Sequence, residues 1–284
     1  MSRSTLLSLL FVAALVPISL GCSGGGDDEK DDSSGGAAGS SGTETPRPSG
    51  GTGGAPTATD HFSFFVTSLE GMVRLSGSPN GFGGDLRYGE ADGLTGADKI
   101  CTELAEASMP GSGAKQWRAF LSAARGADGN PVHAIDRIGA GPWYDRLGRV
   151  LAITKTDLLN TRPLGADPAI IDDLPNEYGV PNHDPDGTGD VDNHHVLTGS
   201  DRNGMLYGSS ATCDGWTTTA SDAGRPRIGF SWPAGNREHW ISGLDEAGCG
   251  AGVNTIDSGG VNPRSSIVGS GGGYGGIYCF ALSP

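Results

Sequence analysis

The chain has 284 residues, a net charge of −14, 50 glycines and only 18% charged residues. Residues 1–22 carry +1 of that charge and residues 23–60 carry −5, leaving −10 for the remainder. An acidic body without a basic stripe repels phosphate and sulfate backbones, so it is a poor candidate for heparin-like polymers and anionic lipid surfaces, and no nucleic-acid partner is expected.

The first element is an export signal. Arg3 precedes a nearly unbroken apolar run from Leu6 to Leu20. That run is shorter than the roughly 20 residues a membrane span requires, and its length and flanks fit a secretory signal. Ser19-Leu20-Gly21-Cys22 resembles a bacterial lipobox, although Ser19 stands where such motifs usually place leucine. The resemblance implies cleavage after residue 21 and a lipid on Cys22, each acyl chain holding the membrane by about 0.8 kcal/mol per buried methylene. Ser23 offers no inner-membrane retention signal, which points to the outer membrane. Residues 22–58 are Gly, Ser, Thr, Pro and Asp with the acidic run Asp27, Asp28, Glu29, Asp31 and Asp32. Such a segment buries too little apolar surface to offset its ordering entropy, and reads as a disordered tether. Residues 60–284 then form one domain long enough for a sizeable core.

Along that domain, Phe62 to Leu69 reads as a strand. Ala97, Ile100, Cys101, Leu104 and Ala105 recur at helical spacing and predict a helix over Thr95–Ser108. Thr95 is its expected N-cap, with Asp98 as capping-box partner in the first turn. Trp117–Ser122 and Ile228–Trp232 alternate as half-buried strands, and Ile277–Leu282 is apolar on both faces, as a central strand would be. The stretches between are dense in Gly, Pro, Asn and Asp. Few helices, short strands and long loops define an α+β domain.

Four cysteines remain after Cys22: Cys101, Cys213, Cys249 and Cys279. An even number in an exported chain reads as a disulfide framework with three alternative pairings, and none sits in a CxxC pair that would favour zinc. Cys101 lies on the buried helix stripe, so its partner must come from the core.

These segments occur in a characteristic order. Gly96-Ala97-Asp98-Lys99-Ile100-Cys101, Trp117-Arg118-Ala119-Phe120-Leu121-Ser122, Gly199-Ser200-Asp201-Arg202-Asn203-Gly204, Cys213-Asp214-Gly215-Trp216-Thr217 and Ile277-Tyr278-Cys279-Phe280 resemble the endostatin family, including lipoprotein domains of bacteria. The resemblance spans most of 62–282. It implies a C-type-lectin-like fold and a nested pairing, Cys101 with Cys279 and Cys213 with Cys249. Endostatin's zinc histidines and arginine-rich heparin surface have no counterpart here, since only His61 stands near the corresponding start. The Glu-Pro-Asn and Trp-Asn-Asp sugar motifs of calcium-dependent lectins are absent as well.

Residues that could carry chemistry are few. Asp184, Asp186, Asp190 and Asp192 alternate with glycines, as a calcium loop requires, but the closing bidentate acid is replaced by His195. Calcium is thus the one ion the sequence points to; no other cofactor is expected. His183, His194 and His195 could be imagined as a transition-metal set, yet adjacent strand residues face opposite ways. No nucleophile elbow, HExxH motif or phosphate loop is present. Lectin-fold enzymes that make formylglycine need a reactive cysteine, whereas all four here read as cystines. Trp216, beside Cys213, reads as packing for its bridge. Trp143 and Trp240, flanked by Asp145 and His239, are the expected surface stacking residues for a ligand. The expectation is a lipid-anchored, non-enzymatic envelope protein whose domain binds glycan or protein. A structural envelope component without a soluble ligand is the alternative, and an enzyme is less expected.

Overall fold

The computed structural model describes residues 61–188, 194–233, 238–254 and 265–284. Its centre is the strand the sequence marks most strongly. Strand β8, Gly273–Ala281, is buried at all nine positions. β1 (Phe64–Val66) pairs with it antiparallel on one edge, Phe65 opposite Cys279. On the other edge, β2 (Trp117–Ala119) runs antiparallel to its C-terminal half and β5 (His195–Leu197) parallel to its N-terminal half. β6 (Arg227–Phe230) and β7 (Leu244–Asp245) extend the sheet outward from β5, giving the order β1-β8-β5-β6-β7 with β2 beside β8. A separate hairpin joins β3 (Trp143–Tyr144) to β4 (Val150–Ala152).

Two-residue periodicity sends alternate side chains of β8 into two different cores. Ile277, Cys279 and Ala281 join a cluster with Phe65, Trp117 and Ala119. Tyr278 and Phe280 enter a second cluster with Phe64, Val66, Trp143 and Trp240. The first core is closed by helix α2, Gly93–Ser108, through Ala97, Ile100, Cys101, Leu104 and Ala105. Full burial of Ile100 and Leu104 stabilises by about 1.5–3 kcal/mol each. The predicted stripe is therefore the buried face. Mixed α and β structure with few helices, several short strands and two disulfides is what the chain adopts.

The ends of these elements differ from the sequence reading for identifiable reasons. The N-cap of α2 is Asp92, whose carboxylate accepts from the Thr95 amide and hydroxyl at 2.8 Å each. Thr95 is inside the helix, and Asp98, no longer in the first turn, points inward instead. It accepts from the Ala119 amide (2.8 Å) and pairs with Arg137 (2.7 Å) of the short helix α3, Ala134–Arg137, and with Arg118 at 3.5 Å. Burial pushes the Asp98 carboxyl above its ordinary range against those arginines. The predicted strand over Phe62–Leu69 shortens because Ser68 caps a second helix, α1 (Leu69–Ser76), accepting from the Gly71 amide at 3.0 Å.

Cys101 on α2 joins Cys279 on β8 with Cα atoms 5.5 Å apart, and Cys213 joins Cys249 at 5.6 Å. Among the described residues no helix is long and apolar enough to cross a membrane.

Candidate functional site

The second disulfide organises the most irregular part of the domain. Cys213–Trp216 forms a tight turn in which four successive residues are left-handed, with φ of 47°, 54°, 69° and 67°. For each non-glycine residue that conformation costs on the order of 1–2 kcal/mol. The loop 81–90 lies across this turn and the bridge. The Gly84 amide donates to Cys249 O and the Leu86 amide to Trp216 O, both at 2.9 Å. A Cβ on Gly84 would stand 2.6 Å from Cys213 Sγ, so only glycine fits against the sulfur. Gly96 of α2 meets the Leu86 and Arg87 carbonyls equally closely, at 2.1 Å from its notional Cβ, which clamps the loop from the opposite side.

What the loop presents is a groove of about 640 Å³. Phe82 and Tyr88, both half-buried, meet edge to face with ring centroids 5.5 Å apart. Tyr88 itself sits at φ 44°, a left-handed position that bulky side chains avoid, and Gly89 follows at φ 83°. Its hydroxyl donates to Glu103 at 2.8 Å, and Lys99 Nζ lies 5.1 Å from the ring centroid on its way to Glu90 at 2.9 Å. Burial raises the Tyr88 phenol above its ordinary range. Asp85 and Arg87 form a two-point ion pair at 2.9 and 2.5 Å, and the Arg87 hydrogen bond holds the Asp85 carboxyl below the usual carboxylate range. Ser76 and Thr219 complete the polar margin. An aromatic pair ringed by fixed carboxylates, a guanidinium and hydroxyls can stack on a C–H face while bonding hydroxyl groups around it.

The residues expected to carry ligand lie elsewhere. Trp143 is 1% exposed and Trp240 is fully buried. The stacking role expected of them is corrected by their packing. Trp143 stands edge-on to Phe280, and Trp240 meets Tyr278 edge-on while its indole N–H donates to Leu158 O at 2.8 Å. They are core residues, and their polar neighbours Asp145 and His239 are buried with them, Asp145 paired with Arg149 and His239 accepting from the Ile241 amide. Trp216 is buried in the same cluster as Cys213 and Cys249, as expected. Of the candidate calcium ligands, Asp190 and Asp192 lie outside the described residues. Asp186 is turned onto Thr188, accepting from its hydroxyl at 2.7 Å and its amide at 3.1 Å, and the hydroxyl bond chiefly holds its carboxyl below the ordinary range. Among the described residues no group of three or more His, Cys, Asp or Glu could hold a metal ion. His194 and His195 nonetheless share a neighbourhood, their rings 4.3 Å apart and both against Phe230. His195 Nδ1 is 2.6 Å from the buried Glu246, whose other oxygen accepts from Ser270 and from the Gly271 amide.

Phe82, Asp85, Tyr88 and Glu90 escaped the sequence reading. The only trace in the sequence is the glycine-flanked aromatics of Asn80-Gly81-Phe82-Gly83-Gly84 and Tyr88-Gly89, a pattern that the fully buried Tyr274 between Gly273 and Gly275 shares.

Fold and site together define a disulfide-stapled mixed α/β domain with an aromatic-lined, polar-rimmed groove. No model of a known protein family matches the chain, and no curated protein matches it.

Proposed function

We propose that this chain is an exported envelope protein, lipid-anchored at Cys22, whose C-type-lectin-like domain is a non-enzymatic binding module for glycans. The observation that carries the reading is Tyr88. A bulky aromatic is held at φ 44° against Phe82, in a groove edged by Asp85, Arg87, Glu90 and Thr219. Backbone strain of this kind costs energy and persists where the surroundings impose it, as at ligand sites. Sugar rings have an apolar C–H face and a polar hydroxyl rim, which matches a half-exposed aromatic pair beside fixed carboxylates. The oxidised cysteines favour a compartment outside the cytoplasm. The acidic body argues for neutral saccharides over sulfated ones.

A glycan array probed with the purified protein tests this directly. Binding to neutral saccharides is expected, with a loss of tenfold or more in Tyr88→Ala. No saccharide binding, or equal binding by the variant, would refute the groove's role. Anchoring is tested separately by metabolic labelling with a radioactive fatty acid, where Cys22→Ser is expected to abolish incorporation.

A further inference from the structure

Apart from the groove lie two adjoining cavities of about 340 Å³ each, which share Asp92, Arg125 and Gly215 as walls and share no lining residue with the groove. Their common wall is the left-handed turn, which brings Gly215 to both cavities and Asp214 to one. Thr95 and Ser209 add hydroxyls, one in each cavity.

Charged groups of both signs line these cavities. Arg87, Arg118, Arg137, Arg149 and Arg227 each have a carboxylate partner at 3.5 Å or less. Arg125 is exposed, faces both cavities and makes no ion pair or hydrogen bond among the described residues. Asp214 is exposed in the same cleft, and its carboxylate likewise makes no contact of either kind there. Asp92 spends one lone pair of each oxygen on Thr95, leaving further acceptor sites. Opposite charges therefore face one cleft without closing on each other, and backbone in a costly conformation holds one of them in place.

We infer that this cleft binds a small zwitterion, a free α-amino acid, with its carboxylate on the Arg125 guanidinium and its ammonium between Asp92 and Asp214. A guanidinium offers a planar fork of donors that a carboxylate fills with two parallel bonds. An ammonium has three donors and matches two carboxylates. A purely anionic ligand would meet Asp92 and Asp214, and a purely cationic one would meet Arg125, so the cleft selects for both charges in one molecule. Each cavity is of the size that holds a small ligand.

The site is separate from the saccharide groove and its test does not depend on that reading. Isothermal titration of the purified full-length protein with a panel of free α-amino acids, their N-acetyl forms and their methyl esters is the experiment. At least one free amino acid is expected to bind, and its N-acetyl and ester forms to bind tenfold or more weaker. Arg125→Ala and Asp214→Asn are each expected to weaken binding at least tenfold with unchanged thermal melting, since both side chains are exposed. Arg125→Lys keeps the charge without the fork and should recover part of the affinity. Absence of binding by every amino acid at about 10 mM, a concentration that detects millimolar affinity, would overturn the inference. So would equal affinity of Arg125→Ala and the parent protein.

Discussion

Two regions of this domain are held by one disulfide each, and they differ in how much regular structure surrounds the bridge. Around Cys101–Cys279 the bridge joins a helix to a sheet that is already packed on both faces, and it closes a separation of 178 residues. Around Cys213–Cys249 there is little regular structure. The bridge closes only 36 residues, but it fixes a left-handed turn, the loop that crosses it and the groove that the loop presents. Both cystines are buried in one hydrophobic cluster, the first between α2 and the central strand, the second beneath the left-handed turn and beside Trp216. The proposed saccharide groove is built on the second bridge, which gives the two regions different expected responses to loss of their cystines.

The largest expected effect follows from loop length. Replacing Cys101 and Cys279 by serine should cost about 5 kcal/mol in the loop-entropy account, read as a drop in the denaturant midpoint of the whole domain. The equivalent change at Cys213 and Cys249 should cost about 4 kcal/mol and should also abolish saccharide binding. If the first pair alone abolished binding in protein that remains folded, the division between the two regions would fail.

Acid should separate them further. Burial, with His195 and His183 beside it, lowers the His194 imidazole from 6.5 to about 2. The folded protein keeps that ring neutral while the unfolded chain takes up a proton below pH 6.5, so stability is lost as pH falls from 6.5 toward 2. By pH 4.5 the loss from this ring is about 2–3 kcal/mol. His194→Phe, which keeps the stack on Phe230, should flatten that part of the pH dependence, measured by chemical denaturation across the range. The smallest effect belongs to the groove. Tyr88→Gly relieves the left-handed backbone while losing the Phe82 contact and the Glu103 hydrogen bond, so thermal stability should change by no more than about 1 kcal/mol. Its saccharide binding should nonetheless be lost.

The same division governed what could be read from the sequence. Where regular structure imposes a period, the residues announced it: the stripe from Ala97 to Ala105 is the buried face of α2, and the apolar run Ile277–Leu282 lies on the central strand up to Ala281, with Leu282 beyond its end and exposed. That strand begins earlier than expected, at Gly273, because glycines carry no hydropathy signal even where, as at Gly271 and Gly273, they make room for His195. Pairing of the cysteines was legible only through resemblance. Trp143 and Trp240 were misplaced because polar neighbours in sequence do not reveal which way a side chain turns. The groove was missed because its geometry comes from positive φ at Tyr88 and Gly89 and from a bridge distant in sequence, neither of which leaves a periodic trace. Asp98 was recognised as an important acid but assigned to the helix end, when its partners Arg118 and Arg137 come from later elements.

Hydrogen exchange on the Cys213→Ser/Cys249→Ser protein tests the separation of the two ends most directly. Amides of 81–90 and 214–219 should lose their protection while those of β8 and α2 keep theirs. Uniform loss across the sheet, or unchanged protection of the groove loop, would contradict the assignment of recognition to the region that the short bridge holds.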